Sequence, residues 1–160
     1  MKRKEKIKWG TPNGIRGDTW TFERVKKTKE SGCQYLTVAI ESAVQDVLDK
    51  VVKKKLDLKL VKKLMEYCHD VDLCLNAFYV IGLPGEKKDD IKDTLTYAIN
   101  CYKKYNVLPV VNLAKVLPGT ELYENTVNNH LYTDKLEFKP NEITTDEFDP
   151  KWIAEQYAWF

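Results

Sequence analysis

Phe78-Tyr-Val-Ile-Gly-Leu-Pro-Gly-Glu86 joins an apolar run to a charged, helix-like pattern through two glycines and a proline. Four apolar residues without a polar interruption read as a strand covered on both faces, as in a parallel sheet. Glycine at the end of such a strand lets backbone approach a neighbour closely, because no Cβ intervenes. Proline stiffens the loop, and the amides of the following helix point back at the strand end. The tripeptide Leu-Pro-Gly recurs at Leu117–Gly119, again after an apolar run and before an acidic residue and a helical pattern.

Working outward, strand-like and helix-like patterns alternate. Residues 7–15 read as a short strand entering a loop. Asp18-Thr19 starts a helix through Glu30, which Ser31-Gly32 stops. Residues 35–40 are a second apolar, β-branched strand. Helical patterns follow at 44–54 and 58–70, the latter with Leu60, Val61, Leu64 and Met65 on one face. A third strand covers 73–81. The helix at 89–105 directs Ile91, Leu95, Ala98, Ile99 and Tyr102 inward. A fourth strand at 108–116 and a short helix at 121–129 come next. Asp149-Pro150, a capping residue followed by proline at the first helical position, opens a last helix at 151–160. Alternating strands and helices imply a parallel sheet of the α/β class.

The totals set bounds. The chain has 160 residues, 43% of them hydrophobic and 31% charged, which suits one globular domain. With 26 basic and 24 acidic residues the net charge is +2, a balance that neither suggests nor excludes a polyanionic partner; the lysine run at 50–55 is short and flanked by Asp49 and Asp57, and no nucleic-acid partner is expected. No apolar run is long enough to span a bilayer, and the basic start Met1–Lys6 has no apolar segment after it, unlike a signal peptide. The expected location is cytoplasmic. Cys33, Cys68, Cys74 and Cys101 form no Cys-x-x-Cys pair and read as small buried hydrophobes. His69 and His130 lack ligand-type partners at useful spacing. Most of the lysines in Lys50–Lys55 read as a solvated helix face or its end, with one able to reach a carboxylate.

In parallel α/β folds ligands sit at the carboxyl ends of strands. The four ends here carry Thr11-Pro-Asn-Gly-Ile-Arg-Gly-Asp18, Glu41-Ser42, Gly82–Glu86 and Leu117–Glu121. Each alone reads as an ordinary βα turn with a cap; four on one edge read as a site. Glu41 directly follows an apolar strand, where an unpaired carboxylate is costly. With Ser42 it suits a ribose or an amino group, or else a cap for the next helix.

Six stretches together resemble the radical S-adenosylmethionine (SAM) superfamily, in the branch whose members often carry an N-terminal cobalamin-binding domain. They are Trp9-Gly-Thr-Pro-Asn-Gly-Ile-Arg16, Ser31-Gly-Cys33, Ala39-Ile-Glu-Ser42, Val47–Lys53, Phe78–Glu86 and Leu117-Pro-Gly-Thr-Glu-Leu-Tyr123. The resemblance covers about residues 7 to 130 and implies a partial TIM barrel, residues 1–130, with 131–160 as a C-terminal extension. It implies SAM as cofactor, with Glu41 and Ser42 at its ribose or methionine part and Lys53 at its carboxylate. Val80, Ile81, Gly82, Leu83 and Pro84 then flank the adenine, with Leu117 and Pro118 near it, while Asn13 and Arg16 face SAM or substrate. A proline common in this branch is replaced by Val116.

One departure is larger. The superfamily binds a [4Fe-4S] cluster through Cys-x-x-x-Cys-x-x-Cys, three thiolates leaving one iron open to SAM. This sequence contains no such motif. The resemblance implies that the chain starts at the third strand of the barrel. Its expected partner is then the missing N-terminal barrel portion or a complementing chain, an open apolar edge being the reason. The cluster, and any cobalamin, belong to the intact parent. On this reading the chain is the SAM-binding part of an enzyme of radical modification or methyl transfer, inactive alone. The alternatives are a cluster-free α/β protein binding SAM or a nucleotide, and a non-catalytic interaction fragment.

Overall fold

A computed structural model describes residues 7–160; the basic start at 1–6 lies outside the described residues. The elements follow in the order β1 (Trp9–Gly10), a 3-10 turn at Gly17–Thr19, α1 (Phe22–Glu30), β2 (Cys33–Glu41), α2 (Gln45–Lys50) and α3 (Leu58–Asp70). Then come β3 (Cys74–Ile81), α4 (Lys88–Tyr105), β4 (Leu108–Leu113), α5 (Glu121–Asn128) and α6 (Pro150–Trp159). The four parallel strands lie in the order β1-β2-β3-β4. An unreversed order with helical crossovers is that of a barrel, whereas a doubly wound sheet reverses at a switch point. The architecture is therefore a partial TIM barrel: the parallel sheet is what the alternation predicts, and the barrel is what the resemblance implies.

Several boundaries shift for local reasons. The expected first strand reduces to two residues, because Pro12 has no N–H to give the ladder; pairing resumes only at an isolated bridge between Ile15 and Val38. The helix expected from Asp18 starts at Phe22 instead, capped by Thr21, whose side chain accepts from the Arg24 N–H at 3.3 Å. The helix expected through 54 ends at Lys50, since Lys53 and Lys55 take φ of 57° and 49°. Asp149 caps α6 as expected, accepting from the Trp152 N–H at 2.7 Å.

The chain divides into two compact units. The first comprises, among the described residues, 7–40, Leu56–Phe78 and Ala98–Val110, and so holds the strand starts. Within it α3 packs on α1 and on the 3-10 turn. Val61, Leu64 and Met65 are fully buried, each stabilising the fold by about 1.5–3 kcal/mol relative to exposure. Leu60, expected on the same face, is 39% exposed. Cys33 and Cys68 are buried and Cys74 exposed; burial raises the Cys33 thiol and pushes Cys68 up to about 12. On α4 the expected Ile91, Leu95 and Ala98 are buried, joined by Thr94 and Cys101, Ile99 is half-buried, and the expected Tyr102 is exposed.

The second unit comprises Glu41–Lys55, Tyr79–Tyr97 and Val111–Phe160, and holds the strand ends. Its core contains Leu48, Tyr79, Ile81, Ile91, Leu95, Val116, Ile143, Phe148 and Ile153. The expected coverage of both strand faces is met on β2, where Leu36, Thr37 and Val38 are buried in succession, and on one face only of β3. On β3, Leu75, Ala77, Tyr79 and Ile81 are buried, while Asn76, Phe78 and Val80 alternate with them half-exposed. Leu108 and Val110 of β4 are likewise exposed. No helix is long and apolar enough to cross a membrane among the described residues.

Candidate functional site

The second unit gathers most of the residues singled out at the strand ends. After β3 the chain makes a tight turn: the Glu86 N–H donates to the Leu83 carbonyl at 3.1 Å, and Gly85 has φ 98°. Proline second and a positive-φ glycine third define a type II turn, which other residues enter only with strain. After β4 the same chemistry recurs. The Thr120 N–H donates to the Leu117 carbonyl at 3.3 Å, Pro118 stands second, and Gly119 has φ 81°. The repeated Leu-Pro-Gly is thus one turn built twice.

Glu86 does not cap a helix on the surface. It is 1% exposed, and its Oε2 accepts from the Leu83 N–H at 2.7 Å, so the carboxylate folds back over the turn it ends. Its Oε1 has no hydrogen-bond partner. Desolvation raises its pKa to about 7, with the neighbouring Asp90 adding to the rise, against the lowering effect of the Leu83 and Gly82 amides. The helix after it is started instead by Asp90, whose Oδ2 accepts from the Lys87 N–H at 2.9 Å. A buried acid after Gly-Leu-Pro-Gly was not among the residues expected to act; nothing in its sequence neighbours separates it from a surface cap.

Glu41, the last residue of β2, has φ 74°, a left-handed backbone that costs a non-glycine residue about 1–2 kcal/mol. Its Oε1 accepts from the Lys54 Nζ at 2.9 Å, with both side chains about one-fifth exposed. Lys53, expected to meet a carboxylate ligand, instead points its ammonium at Glu121 in an exposed pair. Ser42 is fully buried: its hydroxyl bonds Thr94 at 3.2 Å and accepts from the Val44 N–H at 3.2 Å. Neither residue caps α2, whose N-cap Val44 makes no side-chain capping bond; Ser42 instead closes a local turn onto the Val44 N–H, while Glu41 keeps a carboxylate oxygen that no described residue bonds.

At the β3 end, the side of Gly82 where a Cβ would stand is occupied by Ile153 of α6, 3.6 Å away. The Ile81 carbonyl accepts from the Ala114 N–H at 2.9 Å, tying the β3 end to the chain after β4. Asn141 donates to the Ala114 carbonyl and, through its side chain, to the Pro150 carbonyl at 2.8 Å, which anchors the start of α6. Leu83 and Pro84 are half-buried; Leu117 and Pro118 are exposed. Asn13 and Arg16 belong to the first unit, where Arg16 grips Asp18 at 2.7 Å. Burial opposes the Asp18 charge, but the Arg16 bonds and the Asp57 amide outweigh it and lower its pKa.

No family profile matches the chain. Among curated proteins it is 32% identical over 98 residues to cytidylyl-2-hydroxyethylphosphonate methyltransferase of Streptomyces wedmorensis, covering 58% of this chain and 18% of that protein. It is 21% identical over 156 residues to the anaerobic magnesium-protoporphyrin IX monomethyl ester cyclase of Cereibacter sphaeroides, covering 79% of this chain and 25% of that one. Among solved structures, the Escherichia coli coproporphyrinogen III oxidase HemN, described as a radical SAM enzyme, aligns with TM-score 0.59 at 15% identity. The match covers 88% of this chain and 29% of HemN. The radical SAM methyltransferase TsrM of Kitasatospora setae, described with cobalamin and a [4Fe-4S] cluster bound, aligns with TM-score 0.58 at 12% identity, over 82% of this chain and 27% of TsrM. The chain carries the radical SAM fold. The likeness read from six short stretches is borne out, and the chain spans between about a fifth and a third of the length of the proteins it matches.

The superfamily's two cofactors fit this chain unequally. A strand-end carboxylate with an unbonded oxygen is chemistry suited to SAM. A cluster needs three convergent thiolates. The chain's four cysteines do not supply them, and no group of three or more His, Cys, Asp or Glu able to hold a metal occurs among the described residues. The residues of this chain do not fit the iron–sulfur cluster.

Proposed function

We propose that this chain is the SAM-binding part of a radical SAM enzyme whose reaction is a radical modification or a methyl transfer. The observation that carries the reading is Glu41, held in a strained backbone at the end of β2 with one carboxylate oxygen unbonded. Strain of this kind persists only where the surrounding structure holds it, and it clusters at ligand sites. In this reading Glu41 bonds the nucleoside, Val80–Pro84 with Leu117 and Pro118 flank the adenine, and Lys53 leaves Glu121 to meet the methionine carboxylate. Ser42 shapes the strand end from below through Thr94, and Asn13 and Arg16 serve SAM or substrate. The cluster ligands come from a complementing barrel portion, for which the exposed Ile7 and Trp9 at the β1 edge of the sheet offer apolar surface. Alone in the cytoplasm the chain binds SAM without cleaving it; any cobalamin is held by the rest of the parent enzyme.

The test is equilibrium dialysis of the iron-free chain against radiolabelled SAM. Saturable binding that Glu41→Gln weakens about tenfold or more supports the reading, since a hydrogen bond to a charged group is worth about 1.5–3 kcal/mol. A second reading, a cluster-free SAM- or nucleotide-binding protein acting by itself, is favoured by the absence of a thiolate cluster. Adding the three-cysteine portion of a related enzyme separates the two: SAM cleavage on reconstitution supports the first.

A further inference from the structure

Bulky side chains rarely take positive φ, yet Phe138 has φ 60° and is 38% exposed. It has neither a relaxed backbone nor full burial to hold it in place. Glu142 does so instead. One of its carboxylate oxygens accepts from the Glu137 N–H at 2.8 Å and the other from the Lys139 N–H at 2.7 Å, so a single side chain grips the amides on both sides of Phe138. Bonds to an ionised acceptor are among the stronger ones, and these two fix the strained backbone. The loop is tied in turn to the chain leaving β4. Lys115 pairs with Pro140, and the Asn141 N–H donates to the Ala114 carbonyl at 3.0 Å. On α5, which opens straight after the Leu117–Thr120 turn, Tyr123 meets Phe138 with ring centroids 6.2 Å apart and planes tilted by 33°. Backbone strain held by its surroundings clusters at ligand sites. Here it keeps an exposed ring beside a second one, within the unit that holds the strand ends.

We propose that Phe138 and Tyr123 form a ring-binding site that takes a planar apolar group of a small-molecule ligand, with Glu142 as its positioning residue. Aromatic rings with a small number of fixed polar groups behind them are the usual lining of such sites. Phe138 lies outside the six stretches that resemble the superfamily, and the inference does not depend on SAM binding. Glu142 touches the backbone around Phe138, not the ligand.

The test titrates the full chain with N-phenyl-1-naphthylamine, a neutral fused-ring probe whose fluorescence rises in apolar surroundings. Saturable binding by the native chain is expected. Phe138→Gly should weaken it about fivefold or more, the factor that an aromatic contact is worth. The same variant should keep or raise the melting temperature, because glycine takes positive φ without strain. Phe138→Trp should retain most of the affinity. Glu142→Gln should weaken binding too, and add little once residue 138 is glycine, since the two act as a unit. Melting curves identify any variant that fails to fold, and the two Phe138 variants keep the test decisive if Glu142→Gln does. A melting temperature that falls in Phe138→Gly makes the ring a structural one and overturns the proposal. So do an unchanged probe affinity in that variant, no binding by the native chain, and independent effects in the double variant. Self-association of the native chain that Phe138→Gly abolishes, seen by sedimentation, would make the ring a contact between copies and overturn it as well. SAM titrated alongside is expected to bind Phe138→Gly as it binds the native chain, so each of these failures leaves the SAM-binding reading standing.

Discussion

Leu83-Pro-Gly-Glu86 and Leu117-Pro-Gly-Thr120 are the same turn in two surroundings. Both close with a hydrogen bond from the fourth residue to the first carbonyl, and both place glycine at positive φ. The first is packed: a Cβ on Gly85 would stand 3.2 Å from Val51, and its fourth residue is a buried acid bonded back to Leu83. The second is open: nothing lies within 4 Å of the corresponding position on Gly119, and Leu117 is 45% exposed. Its fourth residue faces water and caps α5, accepting from the Tyr123 N–H at 3.1 Å. A shared tripeptide dictates a backbone path. What packs around that path decides whether it is a rigid floor or a surface corner.

The largest expected contrast is between Gly85→Ala and Gly119→Ala. Both pay the positive-φ strain of about 1–2 kcal/mol, but only Gly85→Ala also forces Val51 to yield, bringing its cost to about 2–4 kcal/mol. Urea denaturation of the two variants measures the difference; equal losses would break the comparison. Next comes pH. The folded Glu86 binds its proton more tightly than the unfolded chain does, with a pKa of about 7 against the ordinary 4.5. Its contribution to stability is complete below pH 4.5 and is lost as pH rises through 7. Glu86→Gln, which cannot ionise, should therefore gain on the native chain between pH 5 and pH 8, by about 2 kcal/mol. Melting series at both pH values would show a flatter profile for the variant; parallel profiles would mean that Glu86 is ordinary. Thr120→Ala should cost about 1 kcal/mol, the usual loss of an N-cap, with no change in pH dependence. Smallest, Pro84→Ala and Pro118→Ala should each cost about 0.4–1 kcal/mol by freeing the unfolded chain. A much larger loss at Pro84 alone would sharpen the contrast.

The parts of the fold set by repeating local chemistry were legible in the sequence. α3 runs from Leu58 to Asp70 as its apolar spacing predicts, and α6 begins where Asp149-Pro150 directs. The sheet class followed from alternation, because parallel strands demand crossovers. What failed depends on tertiary surroundings. Tyr102 and Leu60 fall at the margins of helical stripes, where a rotation of part of a turn decides exposure. At the site, Lys53, Lys54 and Lys55 are identical side chains in sequence. Only the unusual backbone between Leu48 and Leu56 shows that Lys54 meets Glu41 and Lys53 meets Glu121. Glu86 was invisible for the opposite reason: it is buried, although its immediate neighbours read as a surface turn.

The uneven burial of the thiols has a practical outcome. Cys33, Cys68 and Cys101 are 1–4% exposed, and Cys68 in addition resists ionising, whereas Cys74 at the start of β3 is open. A maleimide dye should therefore attach at one position in the native chain and at four after denaturation. The molecule comes with a built-in labelling handle, and the count of modified thiols, read by mass spectrometry, doubles as an assay of whether a given preparation is folded.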